Sequence, residues 1–337
     1  MVEAEPTIQK RTAEVLFNPN AGGGIRVEQA KLVQARLIIH GIHVGLRQTE
    51  RRGHAIDLAH KAAANGVELV LVLGGDGTLN EAVNGLSGTE TALGCVPVGT
   101  TNNFGREIGT PFDVERAVDA FIFGEDRRTD VISVMWAGGE KERKALQAVG
   151  FGYDGRVFNG VQPPDEVRKG NGQRLYFQQM LRQLSNADTP RGIVRVDGGK
   201  AIEFDHFTQG WLGNTRALLH VRGRRIILRP NAKVDDGRLE FTGYDGRYGN
   251  PQLDTLSTGV RVLSDAIWPG RQSHHEIRKQ GTIFEFEFDR PVYLQGDGDA
   301  WAESTHVVAA VLTGALRKRV PRQGEATVYS LAGVQRR

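Results

Sequence analysis

The stretch Leu69-Val70-Leu71-Val72-Leu73-Gly74-Gly75-Asp76-Gly77-Thr78-Leu79-Asn80-Glu81 decides how the chain is read. Five consecutive apolar residues before a glycine cluster predict a strand buried on both faces, as in a parallel sheet. Glu81-Ala82-Val83-Asn84-Gly85-Leu86 then has the character of a helix. Between the two, glycines let the backbone approach a ligand with no Cβ in the way. Backbone N–H groups at such a turn, and at the helix start after it, attract phosphate oxygens. Asp76 is a carboxylate in a setting otherwise made for anions, which predicts a cation, a ligand hydroxyl or a lysine beside it. The stretch lacks the Gly-Lys-Ser/Thr of a Walker loop and the glycine spacing of a dinucleotide fingerprint.

Two more strand ends have the same character. Upstream, Val15-Leu16-Phe17 runs into Asn18-Pro19-Asn20-Ala21-Gly22-Gly23-Gly24, where proline stops a central strand. Downstream, Leu93-Gly94-Cys95-Val96-Pro97-Val98 runs into Gly99-Thr100-Thr101-Asn102-Asn103-Phe104-Gly105-Arg106. Helical stripes lie between and after them: Val27, Ala30, Val33 and Leu37; Ala55, Leu58, Ala59 and Ala62; Val114, Ala117, Val118 and Phe121. Short buried strands alternating with amphipathic helices predict right-handed βαβ units and a parallel sheet. All three glycine-rich ends then share its carboxyl edge, where open α/β folds bind ligands.

Near Thr129-Asp130-Val131 the pattern changes. Helical stripes become sparse, and short alternating runs broken by Gly and Asp take over. Residues 160–174 have the composition of a loop, 175–184 of a helix, and Asp197-Gly198-Gly199 of a hairpin turn. Phe284, Phe286 and Phe288 alternate with Glu285, Glu287 and Asp289, a strand with one wet face. Residues 131–315 are therefore expected to form a mainly antiparallel β domain. Arg222, Arg224, Arg225 and Arg229 surround Ile226-Ile227-Leu228, either as a basic lip for phospholipid headgroups or as a solvated strand face.

Composition bounds the remaining choices. The 337 residues favour two domains, and 39% hydrophobic with 25% charged residues describes a globular chain. A net charge of +3 gives little reason to expect nucleic acid. The single cysteine, Cys95, excludes an internal disulfide and a multi-thiolate metal site. No apolar run is long enough to span a membrane, and Met1–Pro6 do not have the pattern of a signal peptide. The expectation is a cytoplasmic protein that meets lipid, if at all, from the membrane surface.

Gly74–Glu81 resembles the nucleotide-binding signature of the diacylglycerol kinase and sphingosine kinase catalytic family, kin of the NAD kinases and 6-phosphofructokinases. Gly99–Arg106 matches the family's Gly-Thr-x-Asn-Asp-Phe-Ala-Arg, with Asn103 for aspartate and Gly105 for alanine. Arg229–Leu239 contains Pro-x-Ala-x-x-Asp-Asp-Gly-x-Leu. Leu294–Trp301 holds the counterpart of Asp-Gly-Glu, with Asp299 for glutamate. Thr313–Pro321 matches the family's closing Gly-Ala-Leu-x-Val-x-Val-Pro. The lysine often found after Asn18-Pro19 is replaced by Arg26 alone.

The resemblance implies a Rossmann-like, phosphofructokinase-like α/β domain at 1–130 joined by about 316–337. It implies a β-sandwich domain at 131–315, with a C-terminal tail that returns to the first. ATP would lie in the cleft, held by Asn18, Pro19, Asn20, Ala21, Gly22, Thr49, Gly74, Gly75, Asp76, Gly77, Thr78, Leu79, Asn80, Thr100, Asn102 and Asn103. Mg2+ would be held by Asp236 with the main-chain carbonyls of Lys233 and Arg238, oxygen ligands that suit a hard cation. Asp297 or Asp299 would take or orient the acceptor's proton. The implied activity is an ATP- and Mg2+-dependent lipid kinase acting on diacylglycerol to give phosphatidic acid. Rival acceptors are a sphingoid base, a glycerophospholipid or a soluble polyol. A second rival is a non-catalytic nucleotide-binding regulator. The implied partner is lipid at a membrane surface, met peripherally, with no nucleic acid; a homodimer is compatible with it.

Overall fold

The computed structural model describes residues 11–20, 27–99, 102–160, 172–221, 224–267 and 275–322. Strands β1 (Thr12–Phe17), β2 (His43–Gln48), β3 (Leu69–Gly74) and β4 (Ala92–Pro97) are parallel, in spatial order β4-β3-β1-β2. Helices α1 (Val27–Ile39), α2 (His54–Ala64) and α3 (Asp76–Leu86) make the crossovers, and α4 (Asn103–Glu107) and α5 (Val114–Ile122) follow. β3 shows why its sequence is continuously apolar. Leu69, Leu71 and Leu73 pack with Val33, Leu37, Val118 and Phe121 of α1 and α5 on one face. Val70 and Val72 pack with Ala59, Ala62, Leu79 and Val83 of α2 and α3 on the other. Each such side chain contributes about 1.5–3 kcal/mol by leaving water.

The second half is antiparallel and rich in strands: β5 (Glu125–Trp136), β6 (Lys141–Ala145), β7 (Ala148–Gly152), β8 (Gly192–Val196), β9 (Ile202–Phe204), β10 (Phe207–Gly213), β11 (Ala217–Val221), β12 (Arg224–Ile227), β13 (Leu239–Asp245), β14 (Glu276–Gly281), β15 (Ile283–Gly296) and β16 (Asp299–Val320). Phe151, Phe241, Phe284 and Phe286 centre its core. The alternation at 284–289 behaves as expected, with the three phenylalanines inward and Glu287 and Asp289 exposed.

The two halves share one hydrogen-bonded sheet. β16 pairs antiparallel with β15 and with β5, and meets β4 in parallel at Lys318 opposite Leu93. Asp126 on β5 accepts from Arg317 at 2.6 Å and from Arg319 at 2.6 and 2.9 Å, and Arg319 also reaches Glu68 at 2.7 Å. The returning tail is thus a strand of the first domain's sheet, fixed by an ion cluster at its end.

Three helices sit among these strands: α6 (Tyr153–Gly160), α7 (Gly172–Gln183) and α8 (Pro251–Ile267). α8 lies where a mainly antiparallel region is expected. Its inward residues are Asp254, Thr255 and Thr258, all buried, while Leu253, Leu256 and Val260 face outward. Its apolar stripe therefore does not mark the core, and polar residues occupy the core side. Of the arginines around 226–228, read either as a basic lip or as a solvated strand face, Arg229 belongs to neither. Arg229 is wholly buried, with Nε donating to the Thr215 carbonyl at 2.8 Å. Arg222 lies outside the described residues. No helix among the described residues is long and apolar enough to cross a membrane.

Candidate functional site

The carboxyl ends of β1, β3 and β4 come together as the parallel register requires. Helix α3 starts at Asp76, one residue after the strand, with Gly75 as an N-cap that makes no side-chain hydrogen bond. A Cβ placed on Gly77 would meet nothing within 4 Å, so the first turn of α3 faces open space. A Cβ on Gly99 would lie 2.6 Å from the Gly75 Cα. The β3 and β4 turns therefore touch through bare backbone, and this contact, more than backbone conformation, requires a glycine at 99.

The polar residues of these turns are largely engaged with one another. The Asn18 amide donates to Thr78 Oγ1 at 3.1 Å and its oxygen accepts from the Asn20 N–H at 2.9 Å. Asn102, buried and left-handed at φ 47°, donates to the Gly99 carbonyl at 2.6 Å and accepts from the Gly99 N–H at 3.0 Å. The side chain thus braces the β4 turn. Buried Thr49 gives its N–H to Phe17 O at 2.9 Å, extending the β1–β2 pairing. Leu79 is a core residue, Pro19 is half-buried and Asn20 is exposed. Ala21, Gly22 and Thr100 lie outside the described residues.

Asp76, expected to meet a cation, a ligand hydroxyl or a lysine, accepts here from N–H donors. One oxygen accepts from the Asn103 N–H at 3.3 Å and the other from Gln147 Nε2 at 3.4 Å. Burial raises its pKa, opposed by the N–H groups of Asn103 and Phe104 at the start of α4. Asn103 is thus placed by its backbone against the glycine-rich turn, and α4 is capped from α3.

Asp297 is the joint between the halves. It sits in the β15–β16 hairpin turn at φ 50°, followed by Gly298 at φ 87°. Both residues lie in the left-handed region that an Asp-Gly hairpin supports. Its Oδ2 accepts from Asn80 Nδ2 at 2.6 Å and Leu146 N at 2.7 Å. Its Oδ1 accepts from the Gln147 and Ala148 N–H groups, both at 2.9 Å. Burial pushes its pKa up to about 6; the three backbone N–H groups oppose the rise, and the nearby charge of Asp76 adds to it. Asp299 has another setting. It is about 40% exposed and pairs with Arg52 of the first half at 3.0 Å. The two carboxylates that the hairpin offers are thereby told apart, with Asp297 bonded into the junction of the two halves and Asp299 in a partly exposed ion pair.

Several supporting residues carry no motif. Asn84 stands one turn beyond Asn80, donates to its side-chain oxygen at 2.7 Å, and exchanges hydrogen bonds with the Lys144 backbone at 2.9 and 3.1 Å. The i, i+4 spacing of two asparagines on one helix face was the available signal. Buried Gln295 donates to Asp154 at 2.8 Å and accepts from the Gly298 N–H at 2.9 Å, which steadies the Asp297 turn. Tyr176 donates to the other Asp154 oxygen at 2.9 Å. Burial raises the Asp154 pKa.

The segment expected to hold a metal is tied to β5. Buried Asp130 accepts from the Gly237 N–H at 2.7 Å and the Gly314 N–H at 2.8 Å, and gives its own N–H to Val234 O at 2.7 Å. Asp236 is exposed, with one oxygen accepting from the Arg238 N–H at 3.1 Å. Among the described residues no group of three or more His, Cys, Asp or Glu side chains could hold a metal. A cation here would need the carbonyl oxygens of Lys233 and Arg238 beside the one carboxylate. That donor set is chemically suited to a hard divalent ion.

Against this geometry stand the similarities to known proteins. A family model described as the diacylglycerol kinase catalytic domain matches residues 12–134. The protein named diacylglycerol kinase in Mycobacterium tuberculosis strain H37Rv is 32% identical over 314 residues, which cover 92% of this chain and 95% of that protein. Its namesake in Staphylococcus carnosus is 27% identical over 237 residues, 68% of this chain and 71% of that one. A diacylglycerol kinase structure from Bacillus anthracis str. Sterne superposes with a TM-score of 0.66 at 20% identity, covering 93% of this chain and 97% of that one. This last likeness concerns the fold alone.

Proposed function

Because the chain belongs to the diacylglycerol kinase family, we propose that it transfers the γ-phosphate of ATP to the free hydroxyl of diacylglycerol, giving phosphatidic acid. The protein is a lipid kinase. The acceptor and the residues that act on it are the proposal.

One observation carries the reading. The Asp297 carboxylate from the second half is gripped by Asn80 on the helix that follows the glycine-rich turn. This puts a carboxylate with a pKa near 6 beside the uncapped start of α3. The open first turn at Gly77 suits polyphosphate, since N–H groups there need an anionic partner. Asp297 acts as the base. As the lipid oxygen bonds to the γ-phosphorus, the bond from phosphorus to the bridging oxygen of ADP breaks and the hydroxyl proton passes to Asp297 Oδ2. All four acceptor positions of the carboxylate are filled by N–H groups, so one donor must give way. Asn80 is the side-chain donor among three backbone ones, and the hydroxyl takes its place. Mg2+, when bound, would neutralise phosphate charge, and Asp236 with the carbonyls of Lys233 and Arg238 is the donor set that would hold it.

The test is transfer of labelled γ-phosphate to diacylglycerol, a sphingoid base, lysophospholipid and glycerol, with Mg2+ and with chelator. Mg2+-dependent labelling of diacylglycerol above the others is expected. Labelling of another acceptor replaces the substrate, and nucleotide binding with no transfer to any acceptor would end the catalytic reading.

A further inference from the structure

We propose that the outward face of α8 docks the enzyme on an anionic lipid bilayer; the choice of a bilayer rests on the lipid-kinase reading above. On a helix at a protein surface the apolar stripe ordinarily faces the core. In α8 the stripe is reversed. Leu253, Leu256 and Val260 are 54%, 53% and 61% exposed, and they fall within one narrow arc of the helix at i, i+3 and i+7. The inward face is held by hydrogen bonds. Asp254 accepts from the N–H groups of Arg247 and Tyr248 at 2.6 and 2.8 Å, and Thr258 meets Thr208 of β10 at 3.1 Å. Of the inward apolar residues, Val262 touches the small cluster of Trp211, Leu228 and Tyr244. The helix is therefore fixed in place while its greasy side is left in water.

Segments next to the helix also expose apolar side chains. Tyr248 just before α8 is 58% exposed, and Leu181 near the end of α7 is 69% exposed. Gln252 of α8 donates to the Ser185 carbonyl at 3.3 Å, which fixes the end of α7 beside α8. Single exposed apolar residues are ordinary on protein surfaces, but a contiguous group marks an interaction site.

Charge selects the occupant. From Leu253 to Ser264 the outward side of α8 carries no charge except half-buried Arg261. Exposed Arg182 and Arg247 stand beside Leu181 and Tyr248. An apolar strip with cations beside its N-terminal end suits the interface of an anionic bilayer, where apolar burial and attraction to headgroups add. The surface also connects to the site. The Gly298 position lies against Phe158, the Phe158 ring packs on Tyr176 at 5.1 Å, and α7 carries Tyr176 and runs to the α8 contact. A bilayer seated on α7 and α8 would thus lie on the side of the molecule from which an acyl chain can stay in the membrane while its hydroxyl reaches Asp297.

The experiment is co-sedimentation of the full chain with phosphatidylglycerol–phosphatidylcholine vesicles and with pure phosphatidylcholine vesicles. The variant Leu256→Glu with Val260→Glu, both exposed, is compared with wild type. Light scattering gives the oligomeric state of each, and turnover is measured on a short-chain, monomeric diacylglycerol. The expected result is wild-type binding to the anionic vesicles, about a tenfold or greater loss in the variant, and unchanged turnover of the monomeric substrate. Arg182→Gln with Arg247→Gln should weaken binding only to the anionic vesicles. Equal vesicle binding by wild type and the glutamate variant overturns the proposal. So does a dimer that the variant turns into monomer with vesicle binding unaltered, because α8 would then cover a second copy of the chain. Failure of the kinase reading is separable: no lipid would be phosphorylated, whatever the vesicles show.

Discussion

Replacing Asp297 by Asn tests the centre of the mechanism, and its effect on folding can be worked out beforehand. The side-chain shape is kept, so its two halves can be placed against the four donors. With the amide oxygen kept toward Gln147 and Ala148, the new NH2 faces Leu146 N–H and Asn80 Nδ2, both donors. Asn80 cannot turn its oxygen inward without giving up the Asn84 bond at 2.7 Å. Leaving one buried N–H unpaired costs about 1–3 kcal/mol.

An opposite term comes from charge. The Asp297 pKa is raised from 3.8 to about 6, so the native state binds its proton more tightly than the unfolded chain. That contribution to stability is fully present below about pH 4 and is lost as pH rises through about 6, a difference of about 3 kcal/mol. At pH 8 the neutral amide escapes this cost. The two terms nearly cancel, so the variant should be folded, with a melting temperature within a few degrees of wild type. Its turnover should nonetheless fall about 10²- to 10⁴-fold, the range for loss of a general base. In wild type, kcat/KM should rise with unit slope as pH increases to about 6 and then level off, because only the ionised carboxylate accepts a proton. The variant should lack that limb. Retention of more than about a tenth of the rate, or persistence of the limb in the variant, would show that Asp297 is not the base.

Asp299→Asn removes an exposed pair with Arg52, which is worth about 1 kcal/mol or less; the acid limb should persist, as a pH–rate profile will show. Gly99→Ala drives a Cβ to 2.6 Å from the Gly75 backbone, so nucleotide affinity by calorimetry should drop at least about tenfold, in line with a misplaced binding turn. Asp130→Ala strands the Gly237 and Gly314 N–H groups, and denaturant unfolding should show a loss of about 2–4 kcal/mol. Lys318→Met removes a buried ammonium whose pKa burial lowers to about 8. The lysine's penalty is full below pH 8 and vanishes above about pH 10.5, so the variant should be more stable at pH 7 by about 1–3 kcal/mol, an advantage that fades at high pH.

What could be read in advance follows the range of the interactions involved. β3 is legible because both its faces are buried against helices, so five apolar residues in a row have one structural meaning. The glycine-rich turns are legible because close approach of two backbones, as at Gly99 against Gly75, leaves no choice of residue. The Phe284–Phe288 alternation is legible because one face is wet. α8 is not legible in the same way, since Asp254, Thr255 and Thr258 occupy its core side and periodicity assigns them to solvent. Arg229 misleads for a related reason: a charged residue among others looks exposed until Thr215 and the packing around Gly213 enclose it. Choosing between Asp297 and Asp299 was beyond any local pattern, because three of the four donors that distinguish them lie at 146–148, about 150 positions away.

That long-range grip also bears on how the two halves can move. A cleft between domains joined by one flexible linker opens by hinging. Here β5 and β16 run side by side between the halves, Lys318 of β16 pairs within the first sheet, and Arg317 and Arg319 clamp Asp126. At the opposite side of the cleft Asp297 bonds to Asn80, and Asn84 exchanges bonds with Lys144. Opening the two halves widely would break the hydrogen bonds that hold Asp297 in place. On the mechanism proposed above, the Asp-Gly hairpin serves structure and chemistry through the same atoms. The turn sets the carboxylate at φ 50°, and the carboxylate in turn fastens the hairpin to the first domain. In the proposed mechanism a substrate hydroxyl has only to displace one side-chain amide, a local rearrangement that leaves the three backbone donors where they are.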